Sequence, residues 1–224
     1  MSSNAEVTAA WTDASYVNRW SAADGLAGLL RMPWRLSTAL TSIEGAPRLV
    51  MDLGSGPGTF LHEFLTRFPQ ARGVWVDASD AMLGRAQELL APHGDRVSYV
   101  VGDVSRLRDL DLPDDCDVVT NSRVAHHFDP TGLTDFYQQV RARLRTGGWL
   151  VTLDHVLPPG DWDRRYRKVI KEFAGPKAGE PTHPHYFPYP TPEGHLRSFA
   201  DAGFVETDLA WRAMYTCLFL GRAG

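Results

Sequence analysis

The segment Val50-Met51-Asp52-Leu53-Gly54-Ser55-Gly56-Pro57-Gly58-Thr59-Phe60 joins a short apolar run to three glycines at alternate positions. Phe60, Phe64 and Phe68 then recur at helical spacing, so the segment predicts a buried strand that turns on glycines into a helix. Such a turn leaves backbone N–H groups uncovered at the helix start, and part of a nucleotide-like ligand can lie directly against them. The segment therefore predicts a cofactor site on an open α/β sheet.

The glycine spacing distinguishes between cofactors. The dinucleotide fingerprint is G-x-G-x-x-G, whose third glycine packs the helix against the strand. Here the pattern is G-x-G-x-G, and Thr59 stands where the third dinucleotide glycine would be. Asp52, two positions before the first glycine, would repel a pyrophosphate but could attract a cation or an ammonium group. Both features disfavour an NAD-type oxidoreductase.

An acidic residue followed by G-x-G-x-G resembles the first motif of the class I S-adenosylmethionine (SAM) methyltransferases. In that family the loop runs beneath the methionine part of SAM, which carries an ammonium group and a sulfonium. The resemblance implies that this part of the chain binds the cofactor through Asp52, Gly54, Gly56 and Gly58.

Two more acidic residues follow predicted strands in register with the same family. Asp77 ends a strand over 73–77, where a carboxylate can accept hydrogen bonds from both ribose hydroxyls. Asp103 follows a strand over 97–101 and matches the family's contact to the adenine amino group, while the next backbone N–H, that of Val104, reaches the ring. Acids at three successive strand ends are hard to assign to chance.

The next helix and the fourth predicted strand complete the expected cofactor contacts. Ser79 is placed to cap that helix. By resemblance Met82 packs near the adenine, with ordinary core packing as an equal alternative. Asn121, at the end of the strand that begins at Cys116, is also expected at the cofactor.

Histidines follow the fourth and fifth predicted strands, where an open sheet presents its ligands. A base is required only if the methyl acceptor must lose a proton, as a hydroxyl does, and a neutral imidazole can take a proton near pH 7. His126 and His155 are the candidate bases, a hydrogen-bonded structural histidine being the alternative for each. We expect His127 to point away from His126, as a structural or solvent-exposed residue or a contact to the acceptor.

Residues 158–190 form the segment whose composition differs most from the rest of the chain. An amphipathic helix with a basic face opens it, and a proline- and aromatic-rich stretch follows from Gly175. Prolines at this density forbid helix and interior strand, while the aromatics make the stretch too apolar for a simple linker. We interpret the segment as a cover over the acceptor. The candidate acceptor contacts, besides His127, are Tyr16, Tyr186 and Tyr189.

The remaining elements agree with an open sheet. A helix with a buried stripe from Leu133 to Leu144 is expected to end at Gly147 or Gly148. Before the glycine loop, one helix is expected within 11–30 and a second after Pro33. A helix from Thr191 and an antiparallel strand pair close the chain.

These elements predict an α/β fold: an open, mostly parallel seven-stranded sheet with helices on both faces and an antiparallel C-terminal strand pair. We expect a single methyltransferase domain. Its parts are N-terminal capping helices (1–46), a SAM-binding core (47–157), the acceptor cover (158–190), and a C-terminal helix and strand pair (191–224).

Composition agrees with a globular domain. The chain has 224 residues, of which 43% are hydrophobic and 22% charged, and its net charge of −4 provides no field to attract nucleic acid. We find no long apolar segment and no signal-like N-terminus, so we expect a cytoplasmic protein without a membrane partner, as a monomer or homodimer. Cys116 and Cys217 fall in predicted strands and are expected to be buried thiols.

The resemblance implies a SAM-dependent methyltransferase that acts on a small-molecule acceptor, at a hydroxyl or carboxyl oxygen, and releases S-adenosylhomocysteine. Methylation at nitrogen or carbon is the alternative, as is SAM binding without methyl transfer. Residues 121–124 depart from the Asn/Asp-Pro-Pro-aromatic pattern of the methylases that act on planar nitrogens, and this argues against DNA, RNA or protein-glutamine substrates. His183-Pro184-His185 has only two imidazoles around a rigid proline, so no metal is expected.

Overall fold

The computed structural model describes residues 27–174 and 188–224, and this part of the chain is built around one β-sheet. Seven strands there lie in the order β3-β2-β1-β4-β5-β7-β6. The strands are β1 (Leu49–Leu53), β2 (Arg72–Asp77), β3 (Val97–Val101), β4 (Cys116–Ser122), β5 (Leu144–His155), β6 (Phe204–Ala213) and β7 (Thr216–Ala223). The α-helices are α1 (Ala27–Leu40), α2 (Thr59–Arg67), α3 (Asp80–Leu90), α4 (Pro130–Arg141), α5 (Trp162–Ala174) and α6 (Pro192–Asp201).

The strand pairing confirms the predicted fold class. Strands β1 to β5 pair in parallel, and β7 pairs antiparallel with both β5 and β6. The chain runs from β1 outward to β3 and then returns to the other side of β1 with β4. The crevice at this reversal, beyond the carboxyl ends of β1 and β4, is where open sheets bind ligands.

Each face of the sheet carries its own apolar core. On one face, Phe60 and Phe64 of α2 and Met82 of α3 pack against strand residues such as Val50. On the other, Phe136 of α4 and Phe199 of α6 pack against residues such as Leu150. Burial of large apolar side chains on both faces of β1 and β4 provides the main stabilisation of a doubly covered parallel sheet.

Two predicted helix boundaries are wrong. Pro33 lies inside α1 instead of at the first turn of a new helix, because a helix can continue through proline at the loss of one backbone hydrogen bond. Helix α4 ends at Arg141, before the glycines expected to end it. Gly147, with φ +74°, lies instead within β5, where the β4–β5 pairing changes register.

Several local predictions are confirmed. Ser79 caps α3, its Oγ accepting a hydrogen bond from the backbone N–H of Met82 at 3.3 Å. Cys116 and Cys217 are buried free thiols on strands. The C-terminal strands form the expected antiparallel pair, with β6 at the sheet edge. Among the helices of the described ranges, none combines the length and the apolar character that crossing a membrane requires.

Candidate active site

The glycine loop between β1 and α2 is held open by the neighbouring strand β2. The backbone N–H of Gly56 donates to Asp77 Oδ2 at 2.8 Å, and the Gly56 carbonyl accepts from Trp75 Nε1 at 2.8 Å. Because the backbone N–H and C=O of Gly56 are both bonded to side chains of β2, the loop conformation is set before any ligand arrives.

The three glycines serve different purposes. A Cβ at Gly54 would lie 2.3 Å from Val124 Cγ2, and one at Gly58 would lie 2.8 Å from Leu90 Cδ1, so both positions need glycine for packing. A Cβ at Gly56 would meet only Met82 Sδ, at 3.8 Å. The space above Gly56 is therefore open to a ligand, with the buried Met82 side chain beside it.

Asp52 lies beneath this loop with 1% of its surface exposed. Its carboxylate accepts hydrogen bonds from Ser55 Oγ at 2.5 Å and from Thr120 Oγ1 at 2.6 Å. Burial raises the pKa of Asp52 to about 6. A cationic ligand above the loop would favour the ionised form of this carboxylate. The attraction of an ammonium group by Asp52 is compatible with this geometry and stays a prediction.

The remaining cofactor candidates lie along the carboxyl edge of the same strands. Asp77 Oδ1 accepts from the Ser79 backbone N–H at 3.0 Å, and burial raises the pKa of Asp77. Asp103 accepts from the Ser105 backbone N–H at 2.8 Å, in a 3₁₀ turn that begins at Val104. Each carboxylate is thus oriented by backbone donors while keeping further acceptor capacity.

Asn121 ends the interior part of β4 and is fully buried. Its Nδ2 donates to Thr152 Oγ1 at 2.9 Å, whereas Oδ1 has no hydrogen-bond partner among the residues that the structure describes. A buried amide oxygen without a donor is energetically unfavourable, and a ligand amino group would satisfy it. The loop, the two acids and this orphaned oxygen together fit the aminoacyl and nucleoside ends of SAM.

The histidines predicted at the ends of β4 and β5 meet in space. The 3₁₀ turn Ala125–His127 places His126 against the end of β5, where its Nδ1 lies 2.5 Å from Asp154 Oδ1. The backbone N–H of His126 donates to Asp154 Oδ2 at 3.0 Å. Both residues are buried, His126 with 2% and Asp154 with 0% exposure, so the carboxylate fixes the tautomer and orientation of this imidazole.

His155 and Tyr189 complete the cluster. The His155 ring centroid lies 5.1 Å from that of His126, and Tyr189 lies 5.5 Å from His126 with its ring nearly perpendicular. The expectation that His127 points away is wrong, because the tight 3₁₀ turn brings its ring centroid to 4.1 Å from His126 and leaves it half-buried. Tyr16 and Tyr186, the other acceptor candidates, lie outside the described residues.

Asp154 is the residue that reading the sequence missed. It stands at the end of the apolar run 149–153, directly before His155. A lone carboxylate at the end of an apolar strand is a signal that can be found, because a fully buried acid needs donors to compensate it. No group of three or more potential metal-ligating side chains occurs within residues 27–174 and 188–224.

Comparisons with known proteins agree with this geometry. A family model described as a methyltransferase domain matches residues 50–148. A 3-amino-4-hydroxybenzoate 4-O-methyltransferase of Streptomyces cremeus is 34% identical over 114 residues, 50% of this chain and 30% of that protein. A malonyl-[acyl-carrier protein] O-methyltransferase of Halalkalibacterium halodurans is 31% identical over 106 residues, 47% of this chain and 38% of that protein.

The structural similarity is broader than the sequence similarity. The structure of an O-methyltransferase family protein from Burkholderia thailandensis superposes with a TM-score of 0.68 at 21% identity, over 96% of this chain and 64% of that one. At this identity the match establishes the fold alone. The matched part of the chain spans about a third of the length of each of these two relatives.

A mostly parallel sheet with a glycine loop at its reversal point and acids at three successive strand ends defines a Rossmann-like cofactor-binding domain. Residues 50–148, from β1 to the start of β5, are similar to a methyltransferase domain, and the glycine loop and strand-end acids lie within or beside this matched segment.

Proposed function

We propose that this protein transfers a methyl group from SAM to a hydroxyl oxygen of a small-molecule acceptor. The observation that carries the proposal is the buried hydrogen bond of 2.5 Å between His126 Nδ1 and Asp154 Oδ1, at the carboxyl edge of β4 and β5. SAM, when bound, supplies an electrophilic methyl group, and the residues of the chain position the acceptor and manage its proton.

The His126–Asp154 pair favours a hydroxyl over a carboxyl acceptor. A carboxylic acid with an ordinary pKa near 4 is already ionised at pH 7 and needs no base. A hydroxyl must lose its proton as the O–CH₃ bond forms and the S–CH₃ bond breaks. With Nδ1 held by Asp154, Nε2 of His126 accepts that proton, and the resulting imidazolium is stabilised by the carboxylate.

His155 is the weaker candidate base. The Asp154 carboxylate bonds to the ring Nδ1 of His126 at 2.5 Å, and it accepts the backbone N–H of His155 at 2.6 Å. The His155 ring lies nearly parallel to that of Tyr189, with centroids 6.3 Å apart. We therefore assign His155, with His127 and Tyr189, to the wall of the acceptor site.

The cofactor contacts follow from the site. Gly56 and its neighbours cradle the aminoacyl part, Asn121 Oδ1 accepts from the amino group, Asp77 holds the ribose, and Asp103 faces the adenine. The net charge of −4 supports a small acceptor instead of nucleic acid. Cytoplasmic location and a monomeric or homodimeric state belong to the same proposal.

The Streptomyces cremeus and Halalkalibacterium halodurans relatives are named for two different kinds of acceptor. One acts on the ring hydroxyl of an aminohydroxybenzoate, and the other on a malonyl group. The presence of an oriented imidazole supports the first chemistry for this chain. Transfer to a carboxylate, or to nitrogen or carbon, is the alternative, as is SAM binding without transfer.

The experiment pairs methyl-labelled SAM with two acceptor panels, one of hydroxybenzoates and other phenols, the other of malonyl and tricarboxylate compounds. We expect S-adenosylhomocysteine to form with a member of the first panel, and His126→Gln to reduce that rate by about 10²-fold or more. Asp117→Asn is the matched control, because Asp117 lies at the opposite end of β4, where it bonds Arg145.

Two outcomes would contradict the proposal. Turnover restricted to carboxylates, unaffected by His126→Gln, would assign the carboxyl chemistry. Calorimetric binding of SAM without S-adenosylhomocysteine in any mixture would identify a protein that binds the cofactor and transfers nothing.

A further inference from the structure

Two side chains of β2 hold one residue of the glycine loop. Trp75 Nε1 donates to the Gly56 carbonyl, and the Gly56 N–H donates to Asp77 Oδ2, each at 2.8 Å. Trp75 and Asp77 are two positions apart on one strand, so their side chains lie on the same face of the sheet. Asp77 is also the expected ribose ligand, whereas the indole N–H of Trp75 has a single proton, which it gives to the loop.

The peptide unit between Gly56 and Pro57 depends on the indole hydrogen bond. Pro57 has no backbone N–H, so the Gly56 carbonyl is the one hydrogen-bonding group of this unit. The contact with Trp75 is buried, and a buried carbonyl that loses its donor is energetically unfavourable. Gly56, with φ +53°, can adopt other backbone conformations at little cost. Without the indole donor, the unit would therefore turn its carbonyl towards water and change the shape of the loop.

Core packing by itself does not require an indole on β2. Trp75 is fully buried in the interior of a parallel strand, between Val74 and Val76. Such positions are usually filled by aliphatic side chains. An aliphatic or phenyl group could occupy this space without burying an N–H that needs a partner. The indole is distinguished from these groups by its acceptor, which belongs to the loop.

Gly56 is the glycine of the loop with room above it. A Cβ there would meet only Met82 Sδ, at 3.8 Å, whereas packing closes the space at Gly54 and Gly58. The orientation of the Gly56 carbonyl therefore shapes the surface on which a ligand lies. Under the proposed function, the aminoacyl part of SAM lies on this surface and the nucleoside lies towards Asp77.

We propose that Trp75 is a positioning residue for the aminoacyl end of the cofactor, because its indole N–H fixes the Gly56 carbonyl and with it the loop surface. The inference rests on the proposed function, which places the aminoacyl group on Gly56. Trp75 is fully buried and acts through the loop, which it keeps in the binding-competent shape before the cofactor arrives. When the indole donor is missing, a ligand that uses this surface must restore the loop, and its affinity falls with the competent fraction. A ligand without the aminoacyl group is spared that loss.

The test compares two ligands by calorimetry on the whole chain. S-adenosylhomocysteine carries the aminoacyl group, and 5′-methylthioadenosine carries the same nucleoside without it. The variants are Trp75→Phe and a protein with 3-benzothienylalanine in place of Trp75, an isostere in which sulfur replaces the N–H.

We expect both variants to bind S-adenosylhomocysteine about five- to tenfold more weakly, as for the loss of one buried hydrogen bond, and methylthioadenosine within about twofold of wild type. In the cofactor-free protein, the Gly56 amide should exchange several-fold faster with solvent.

Phe64→Leu is the packing control, because Phe64 is fully buried in the same apolar cluster and has no polar group to offer the loop. It should lower the free energy of unfolding and leave the ratio of the two affinities unchanged. Equal weakening of both ligands in the benzothienylalanine protein, or weakening of neither, would overturn the inference. A Phe64→Leu protein whose affinity ratio shifts as far would also overturn it.

Neither binding measurement needs methyl transfer. A wild type that binds S-adenosylhomocysteine but forms none from SAM would contradict the proposed function, while the ratio of affinities still decides the role of Trp75. A wild type that binds neither ligand would contradict both.

Discussion

Asp77 accepts a hydrogen bond of 2.8 Å from the backbone N–H of Gly56, so the acid expected to hold the ribose also fixes the loop expected to hold the methionine end. The two residues are 21 positions apart: Asp77 ends β2, and Gly56 lies in the loop that follows the adjacent strand β1. Cofactor affinity should therefore depend on the shape of this loop as well as on direct contacts.

Substitution of Gly56 separates binding from folding. A Cβ there would enter the open space above the loop, and φ of +53° costs an L-residue about 1–2 kcal/mol. We expect Gly56→Ala to fold and to bind SAM at least about tenfold more weakly by calorimetry. Gly84→Ala is the control: its Cβ meets nothing within 4 Å on α3, so SAM affinity should not change. Equal affinities in both variants would place the cofactor elsewhere.

Removing the charge of Asp154 should abolish most of the base function while leaving cofactor binding intact. Asp154→Asn keeps the size of the side chain but favours the other His126 tautomer, because an amide can donate to Nδ1. We expect kcat to fall by about 10²- to 10⁴-fold, with SAM affinity within about threefold of wild type. A variant that keeps more than a tenth of the wild-type kcat would show that no oriented imidazole is used.

Two buried groups, Asp52 and His195, should make the free energy of unfolding depend on pH in opposite directions. The pKa of Asp52 is raised to about 6 from 3.8, so its favourable contribution is full at low pH and is lost as the pH rises from about 4 to 6. The pKa of His195 is lowered to about 4 from 6.5, so its contribution is full above 6.5 and is lost as the pH falls toward 4. Each amounts to about 3 kcal/mol across its window.

Single variants separate the two contributions to the pH dependence of the free energy of unfolding. In Asp52→Asn only the His195 contribution remains, so the free energy of unfolding should fall more steeply than in wild type between pH 6.5 and 4. In His195→Leu the curve should instead rise as the pH falls. Urea unfolding at half-unit pH steps measures both, and curves parallel to wild type would show that these groups titrate normally in the folded protein.

Tyr215 fastens α5 to the β6–β7 hairpin. Its hydroxyl donates to Asp163 Oδ1 at 2.8 Å, and burial helps to raise the pKa of Tyr215 to about 12, so it stays a donor at pH 9. We expect Tyr215→Phe to speed amide hydrogen exchange within α5 several-fold while global stability changes by about 1 kcal/mol or less. Tyr99→Phe, which removes a hydroxyl that makes no hydrogen bond among the described residues, should leave α5 exchange unchanged.

The glycine loop and the acids at the strand ends were predictable because their signals are local. A strand, a glycine turn and a helix follow one another within 50–68, and an acid at each of the next two strand ends needs only the spacing of a βα unit. Helix ends were less predictable, since Pro33 and Gly147 have propensities that packing on the sheet overrides.

The sequence by itself determined the fold class, the cofactor loop and the set of histidines at the ends of β4 and β5, because each is encoded in neighbouring residues. Only the tertiary structure brings His126 into contact with Asp154, which lies 28 residues further along the chain. The buried hydrogen bond between Tyr137 and His195 likewise joins two helices, through residues 58 positions apart. Such contacts arise when helices and strands pack, and no local periodicity records which buried polar groups will then meet.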